Sequence, residues 1–262
     1  MNYYDLIFRR KSFHLFRNQK RISPFELKEL KEYINLVKPL DLTIKTKIKV
    51  VKEDETSCNR GAEYVIEFYS EVKGNYLRNI GYMGEQIDLW LASRNMGSLW
   101  YGVGRPDEEK TSDDLSFVIM MAIAKMPSES FRKDMFKAKR KPLNEVWSGD
   151  LIPSADIIRF APSACNLQPW KVESSKGEIK VYRYKKPGKR GTMPSKKVRY
   201  YNMIDMGIFI FFLETCLTHD GYYYDSIQYY DDEPDNVEYT LVATYKIYRH
   251  ETKDSKFMKD KI

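Results

Sequence analysis

The sequence contains two long apolar segments with helical periodicity, and each is followed at the same interval by an apolar strand-like segment. The first segment includes "NIGYMG" and leads to "SFVIMMAIA". The second begins at "NMIDMG" and leads to "YTLVATYKIY", and when Gly84 is placed on Gly207, Val118 falls on Leu241 without a gap. Matching order and spacing predict an internal duplication, although only the Asn, Met and Gly of the hexapeptide recur.

Further helices and strands are predicted around these two units. Ser23, Pro24 and Glu26 form a capping box with proline at the first helical position, which predicts a helix start. Hydrophobic periodicity then separates helices from strands. The predicted helices cover 24–37, 76–95, 152–160 and 202–217, and the predicted strands cover 42–51, 62–71, 99–100, 116–124, 177–184 and 239–248.

The composition indicates a globular protein from a reducing cellular compartment. With 262 residues and a 42% hydrophobic fraction, the chain can fill a sizeable core. Its longest apolar runs, "FVIMMAIA" and "IFIFFL", are too short for a membrane span, and the N-terminus lacks the apolar region of a signal peptide. Its three cysteines are widely spaced, which suits neither a disulfide framework nor a zinc site. We therefore expect a cytoplasmic protein without a metal.

The net charge of +7 raises the question of nucleic-acid binding. The 37 acidic residues nearly match the 44 basic ones and are mixed among them, as in a solvated surface. Two basic clusters stand out, "FRRKSFH" near residue 10 and "KAKRKP" near residue 140. They are too short to follow a polynucleotide and long enough to bind one phosphate group.

Most common catalytic and nucleotide-binding motifs are absent from the sequence. It contains no "GxxxxGK", "GxGxxG" or "HExxH", which removes support for nucleoside triphosphatases and metallohydrolases. The remaining features are the two basic clusters, the turn "MGSLWYGVG" and the stretch "APSACNLQPW". Each alone is explained by surface charge, packing or helix capping, but together they favour a binding site.

These motifs resemble those of a known family. "APSACNLQPW" is similar to the "APSxxNxQPW" of the nitroreductase-like flavoproteins, and "RKSFHLF" resembles their "RRSxRxF". "NMGSLWYG" and "KRKPLNEV" resemble their "GLGxxWxG" and "KRKPLEEV". The resemblance implies an α+β fold with antiparallel-rich mixed sheets flanked by helices, which binds FMN at a homodimer interface.

The resemblance also implies roles for individual residues. The first basic cluster and Arg140 with Lys139 would bind the FMN phosphate, and a paired-donor guanidinium suits a near-dianion. The glycine turn would offer a backbone N–H to the reactive ring nitrogen, and the small residues of "APSACN" would line the ring. His14 stands where the family usually has Arg or Lys. The implied flavin-binding residues are Arg10, Lys11, Ser12, His14, Gly102, Val103, Lys139, Arg140, Pro162, Ser163, Ala164 and Asn166.

The order of the motifs differs from that of the family. "APSACNLQPW" follows "KRKPL" here, whereas in the family it precedes the glycine turn and reaches the partner subunit's flavin. The chain therefore resembles two fused subunits that share one flavin site, with halves at 1–148 and 149–250 and a frayed tail at 251–262. This predicts a monomer with one FMN. The second slot would be empty or filled by side chains such as Phe209, Phe211, Phe212 and Tyr222, Tyr223 and Tyr224.

The function implied is reduction of nitroaromatic or quinone-like acceptors by NAD(P)H through FMN, with no protein acid or base assigned. Two alternatives remain open. A flavin store or sensor without turnover would share every motif. A basic nucleic-acid-binding module would depend on "KKPGKRGTMPSKKVRYY" (185–201), which we interpret instead as a mobile basic loop near the flavin.

Overall fold

The computed structural model describes residues 1–111, 113–185, 193–231 and 238–249. The expected tail at 251–262 and the centre of the basic segment 185–201 lie outside the described residues. The helices are α1 Tyr3–Arg9, α2 Pro24–Ile34, α3 Tyr76–Ser93, α4 Leu143–Val146, α5 Ala155–Ile158 and α6 Ser195–His219. The strands are β1 Thr46–Lys52, β2 Tyr64–Ser70, β3 Met96–Tyr101, β4 Ser116–Lys125, β5 Trp147–Gly149, β6 Trp170–Ser175, β7 Glu178–Tyr184, β8 Tyr223–Gln228 and β9 Tyr239–Tyr248.

The strands form two sheets with the same connectivity. The first has the order β1-β2-β4-β3, and the second has β5-β6-β7-β9-β8. In each, two antiparallel strands are followed by a long helix and a second antiparallel pair, and the last strand lies in the interior of the sheet. The pairing of β4 with β2 and the pairing of β9 with β7 each contain a register shift. Among the strands described, only the short β5 adds a parallel strand pair, and an isolated parallel bridge joins Ser12 to Ser98.

The local signals explain where α2 and β1 begin and end. Ser23 Oγ accepts a hydrogen bond from Glu26 N at 3.2 Å, and the Glu26 carboxylate accepts one from Ser23 N at 2.9 Å, so the predicted capping box is present. α2 ends at Ile34, three residues before the predicted end, in turns ahead of Pro39. β1 begins at Thr46 instead of residue 42 because Asp41 Oδ1 accepts from Thr43 N at 2.8 Å and holds a turn there.

Some elements differ more from the sequence prediction. The helix expected over 152–160 contains only the four residues of α5. On both sides the backbone forms turns with hydrogen bonds between residues three apart, such as the bond from Phe160 N to Ile157 O. α1 and β8 had no prediction. α1 is short and is capped by Asn2, whose side chain accepts from Tyr4 N. β8 is an exposed edge strand with little apolar alternation.

The core is organised around the crossing of α3 and α6. A Cβ on Gly81 would lie 2.9 Å from the carbonyl carbon of Ile204, and one on Gly207 would lie 2.7 Å from the Tyr82 nitrogen. Glycine at both positions therefore lets the two backbones touch. Gly81 and Ile204 also occupy equivalent positions when Gly84 is placed on Gly207. α6 is long and apolar enough to cross a membrane, but 78% of its apolar window is buried inside the fold, as in a core helix of a soluble protein.

Candidate functional site

The second basic cluster lies against the "APSACN" segment in the folded chain. Arg140 Nη1 donates to Asn166 Oδ1 at 2.7 Å, and Asn166 Nδ2 donates to the carbonyl of Lys139 at 3.0 Å. Lys141 N donates to Gln168 Oε1 at 2.8 Å, and Gln168 is buried. Two motifs that the sequence singles out separately are thus one structural unit.

Four arginines approach one another at this unit. Burial, and then the charges of Arg10, Arg132 and Arg159, lower the pKa of Arg140 to about 10. Burial and the charge of Arg10 likewise lower the pKa of Arg132. Among the described residues, the buried Arg140 Nε and Arg10 Nη2 have no hydrogen-bond partner. A cluster of like charges with unused donors suits an anion with several oxygens, and a phosphate meets this description.

Arg10 is oriented by buried carboxylic acids on α3. Its Nε donates to Asp88 Oδ2 at 2.8 Å and lies 4.0 Å from Glu85 Oε1. Asp88 also accepts from Ser98 Oγ and, at 3.1 Å, from Trp100 Nε1, so the "MGSLWYG" motif meets the first basic cluster through this carboxylate. Burial, and then the charge of Asp88, raise the pKa of Glu85 well above its ordinary value. The cluster therefore holds one arginine against two buried acids, and the direction of the Glu85 pKa shift is the one that retains a proton on that acid.

The segment from Ser163 to Gln168 forms an irregular turn. Cys165, Asn166 and Gln168 have φ values of 49°, 57° and 50°, in the left-handed region that non-glycine residues seldom occupy. Ser163 Oγ accepts from Gln168 N at 3.0 Å, and Asp205 Oδ1 accepts from Ala164 N at 2.9 Å. Pro162 is buried behind the turn, while Cys165 and Asn166 are exposed at its tip.

Tyr201 connects the glycine turn of the first half with this segment. Its hydroxyl donates to the carbonyl of Gly102, and a Cβ on Gly102 would lie 2.6 Å from the tyrosine ring. Burial, and then the neighbouring Cys165, raise the pKa of Tyr201. Val103 next to Gly102 is 73% exposed. The structure therefore brings both the "GSLWYGVG" and the "APSACN" motif next to one tyrosine.

The other implied residues have separate surroundings. Ser12 forms a backbone bridge with Ser98, while Lys11 Nζ donates to the carbonyl of Ser130 at 2.9 Å. Lys139 and His14 are exposed. The sequence analysis did not identify Asp88, Arg132, Arg159, Tyr201 and Asp205. Asp88 and Asp205 are acids inside long apolar helices, and that position is the signal that could have identified them. Arg132, Arg159 and Tyr201 stand in mixed stretches, where no local pattern distinguishes them.

The corresponding region of the second half has different chemistry. The carbonyl of Tyr229, which follows β8 as Gly102 follows β3, accepts from Arg78 Nη1 at 2.9 Å and Asn75 Nδ2 at 3.1 Å. Phe209 stacks on Trp170 at 4.8 Å between ring centroids, and Phe211 and Phe212 are buried. Tyr223, expected among the filling side chains, is 54% exposed on the edge strand.

Comparison with known proteins identifies a family whose members are similar to this chain. Residues 2–215 match the family described as "Putative TM nitroreductase". A putative nitroreductase from Thermotoga maritima superposes with a TM-score of 0.58 at 20% identity, covering 94% of each chain. A putative nitroreductase in complex with FMN from Desulfovibrio desulfuricans gives a TM-score of 0.43 at 14% identity, covering 58% of this chain and 99% of that one. No curated protein matches the sequence.

Proposed function

Since this chain belongs to the family described as "Putative TM nitroreductase" and has its α+β fold, we propose that it is an FMN-dependent oxidoreductase. In this proposal it takes hydride from NAD(P)H and reduces nitroaromatic or quinone-like acceptors. The arginine cluster beside the Ser163–Gln168 turn carries the proposal, because it supplies an anion site next to a small-residue wall.

The residues present fit FMN. Arg10 Nη2 and Arg140 Nε are buried donors that lack partners among the described residues, and a phosphate would satisfy them. Arg132 adds positive charge beside both. Asp88 holds the Arg10 guanidinium in place, so that arginine loses little freedom when an anion binds.

The bound flavin would supply hydride acceptance and electron transfer, and the protein would supply binding, orientation and electrostatics. Asn166, whose side chain now pairs with Arg140 and Lys139, offers both a donor and an acceptor to a polar ring edge. Ser163 and Ala164 have small, half-buried side chains in the same turn, and Pro162 is buried behind them. Tyr201, whose hydroxyl donates to the Gly102 carbonyl, would be a further neighbour of the ring.

We further propose that the chain arose by internal duplication and works in the cytoplasm as a monomer. The shared connectivity of the two sheets and the contact between the equivalent positions Gly81 and Ile204 support the duplication. The anion site and the turn come from both halves of a single chain, which supports a complete site without a partner.

The test is the cofactor and its reduction. We expect purified protein to be yellow, to release FMN on extraction, and to be bleached anaerobically by NADH or NADPH and recoloured by a quinone. FAD in the extract, or no binding after incubation with FMN, would contradict the proposal. Bound FMN that neither NADH nor NADPH reduces would instead favour a store or sensor.

A further inference from the structure

The turn from Ser163 to Gln168 needs support from outside itself. Three of its residues have left-handed backbone without being glycine, and such backbone persists only where the surroundings hold it. Within the turn, Ser163 Oγ accepts from Gln168 N. From outside, Asp205 of α6 accepts from Ala164 N at 2.9 Å. Asp205 therefore connects the turn to the central helix of the second half.

Asp205 has an unusual environment for an acid. Its residue is 3% exposed, and it forms no ion pair in the part of the chain that the structure describes. Its Oδ2 has no hydrogen-bond partner there, and neither does Oδ1 of Asn202, which is 1% exposed. Residues three apart on a helix are neighbours on one face. Two buried acceptors without donors are thus placed together on α6.

One proton can satisfy both atoms. If Asp205 Oδ2 is protonated, it can donate to Asn202 Oδ1, while Oδ1 continues to accept from Ala164 N. Burial raises the pKa of Asp205 well above its ordinary value, which is the direction that retains this proton. An ionised carboxylate would leave two buried acceptors unpaired and a buried charge uncompensated.

In the first half, an amide side chain of the long helix holds the corresponding loop. Asn79 occupies the position on α3 that Asn202 occupies on α6 when Gly84 is placed on Gly207. Its Oδ1 accepts from Leu40 N at 2.7 Å and Asp41 N at 3.1 Å, in the loop before β1. The loop before β6, which is the candidate flavin wall, is held by an acid one turn further along the helix.

We propose that Asp205 is a positioning residue for the flavin wall, a neutral acid that accepts the Ala164 amide hydrogen and donates its proton to Asn202. The flavin part of this inference rests on the proposed function. Asp205 touches no reacting atom in it and acts through the turn from Ser163 to Gln168.

Two substitutions separate a neutral acid from a charged one. Asp205→Asn replaces the neutral acid with a group of the same shape, donor and acceptor, so FMN affinity should stay within about twofold and the flavin midpoint potential should not change. Asp205→Ala leaves Ala164 N and Asn202 unpaired, so FMN binding should weaken about tenfold or more. Asn79→Ala is the matched control, which should lower thermal stability while leaving FMN affinity within about twofold.

The binding measurements can also overturn the proposal. If Asp205→Ala bound FMN as tightly as wild type does, the turn would need no support from Asp205. Asp205→Asn that binds as poorly as Asp205→Ala, or that has a raised midpoint potential, would show that the carboxylate is charged.

A second readout needs no flavin. Carbon NMR of the carboxyl groups, assigned with Asp205→Asn, should show the Asp205 signal in its protonated form at a pH where exposed aspartates are ionised. Faster hydrogen exchange at Ala164 N is expected in Asp205→Ala. An ionised signal at pH 7 would refute the neutral acid. Wild-type protein that fails to bind FMN would contradict the proposed function but would leave these two measurements decisive for Asp205.

Discussion

Arg10 and Arg140 belong to one arginine cluster but have opposite surroundings. Arg10 is 4% exposed and lies against Asp88 and Glu85, whereas Arg140 bonds only to uncharged oxygens of Asn166, Lys139 and Phe160 among the described residues. Loss of Arg10 would leave buried acids unpaired and destabilise the fold. Loss of Arg140 would remove a donor to an anion, so Arg140 is the better probe of binding.

We expect Arg140→Ala to weaken FMN binding by about 1.5–3 kcal/mol, the range for hydrogen bonds to charged groups. The FMN affinity of Arg140→Lys should lie between those of wild type and Arg140→Ala, because lysine retains the charge but loses the paired donors. The measurement is a flavin fluorescence titration, with the exposed Arg17→Ala as control. Equal affinities in all four proteins would mean that the phosphate lies elsewhere.

Glu85 predicts a pH dependence of stability. Its pKa is raised in the folded state, so the folded protein binds more protons than the unfolded chain above the ordinary value of 4.5. The contribution of Glu85 to the free energy of unfolding is therefore fully present below pH 4.5 and declines as the pH rises. In urea unfolding, Glu85→Gln should have the same free energy of unfolding as wild type near pH 4. Toward pH 8 the variant should become the more stable of the two. A constant difference across this range would show that Glu85 has an ordinary pKa.

At the scale of elements, the contact between α3 and α6 determines how the halves meet. Both helices carry glycine where the other backbone passes, and the buried acids of the site lie on the same two helices: Glu85 and Asp88 on α3, Asp205 on α6. A change in helix separation should therefore affect stability first and the site with it.

Gly81→Ala and Gly207→Ala should each lower the free energy of unfolding by about 1–3 kcal/mol or more, because the added methyl group overlaps backbone that cannot move aside. Chemical denaturation measures this effect. Lys196→Ala, on the exposed start of α6, is the control and should stay within about 0.5 kcal/mol of wild type. Unchanged stability in both glycine variants would mean that the helices cross with more space.

At the scale of the whole molecule, the two halves share connectivity but not chemistry. Arg10, Arg140 and the left-handed turn converge in one region, whereas Arg78 and Asn75 bond to the Tyr229 carbonyl in the corresponding region of the second half. In the described part of the second region, Arg78 lies near Arg183, but Asp231 pairs with Arg183 and also offsets the charge beside Arg78, so the arginines there already have a carboxylate partner. This asymmetry favours a single flavin site.

We therefore expect one FMN per chain and a monomer in solution. Light scattering gives the mass, and flavin titration against protein concentration gives the stoichiometry. Two flavins per chain would contradict the asymmetry of the halves. An obligate dimer whose flavin is lost on dissociation would show that the turn serves a neighbouring chain.

Local and periodic features of the sequence were sufficient for most elements and for the family. The capping box at Ser23, the alternation over 239–248 and the apolar periodicity of α3 and α6 act over a few residues, so they can be recognised without a fold. The motifs of the arginine cluster and the turn were recognised in the same way, and the family match agrees with them.

Only the tertiary structure decided what holds those motifs in place. Asp88 acts on Arg10 across 78 residues of sequence, and Asp205 acts on Ala164 across 41. Burial determines whether such an acid is charged, and burial is a property of the packed molecule. The shortening of α5 and the edge position of β8 likewise depend on neighbouring elements, because their own residues prefer no alternative strongly. The sequence thus determined the elements and the site motifs, whereas packing determined their geometry and charge.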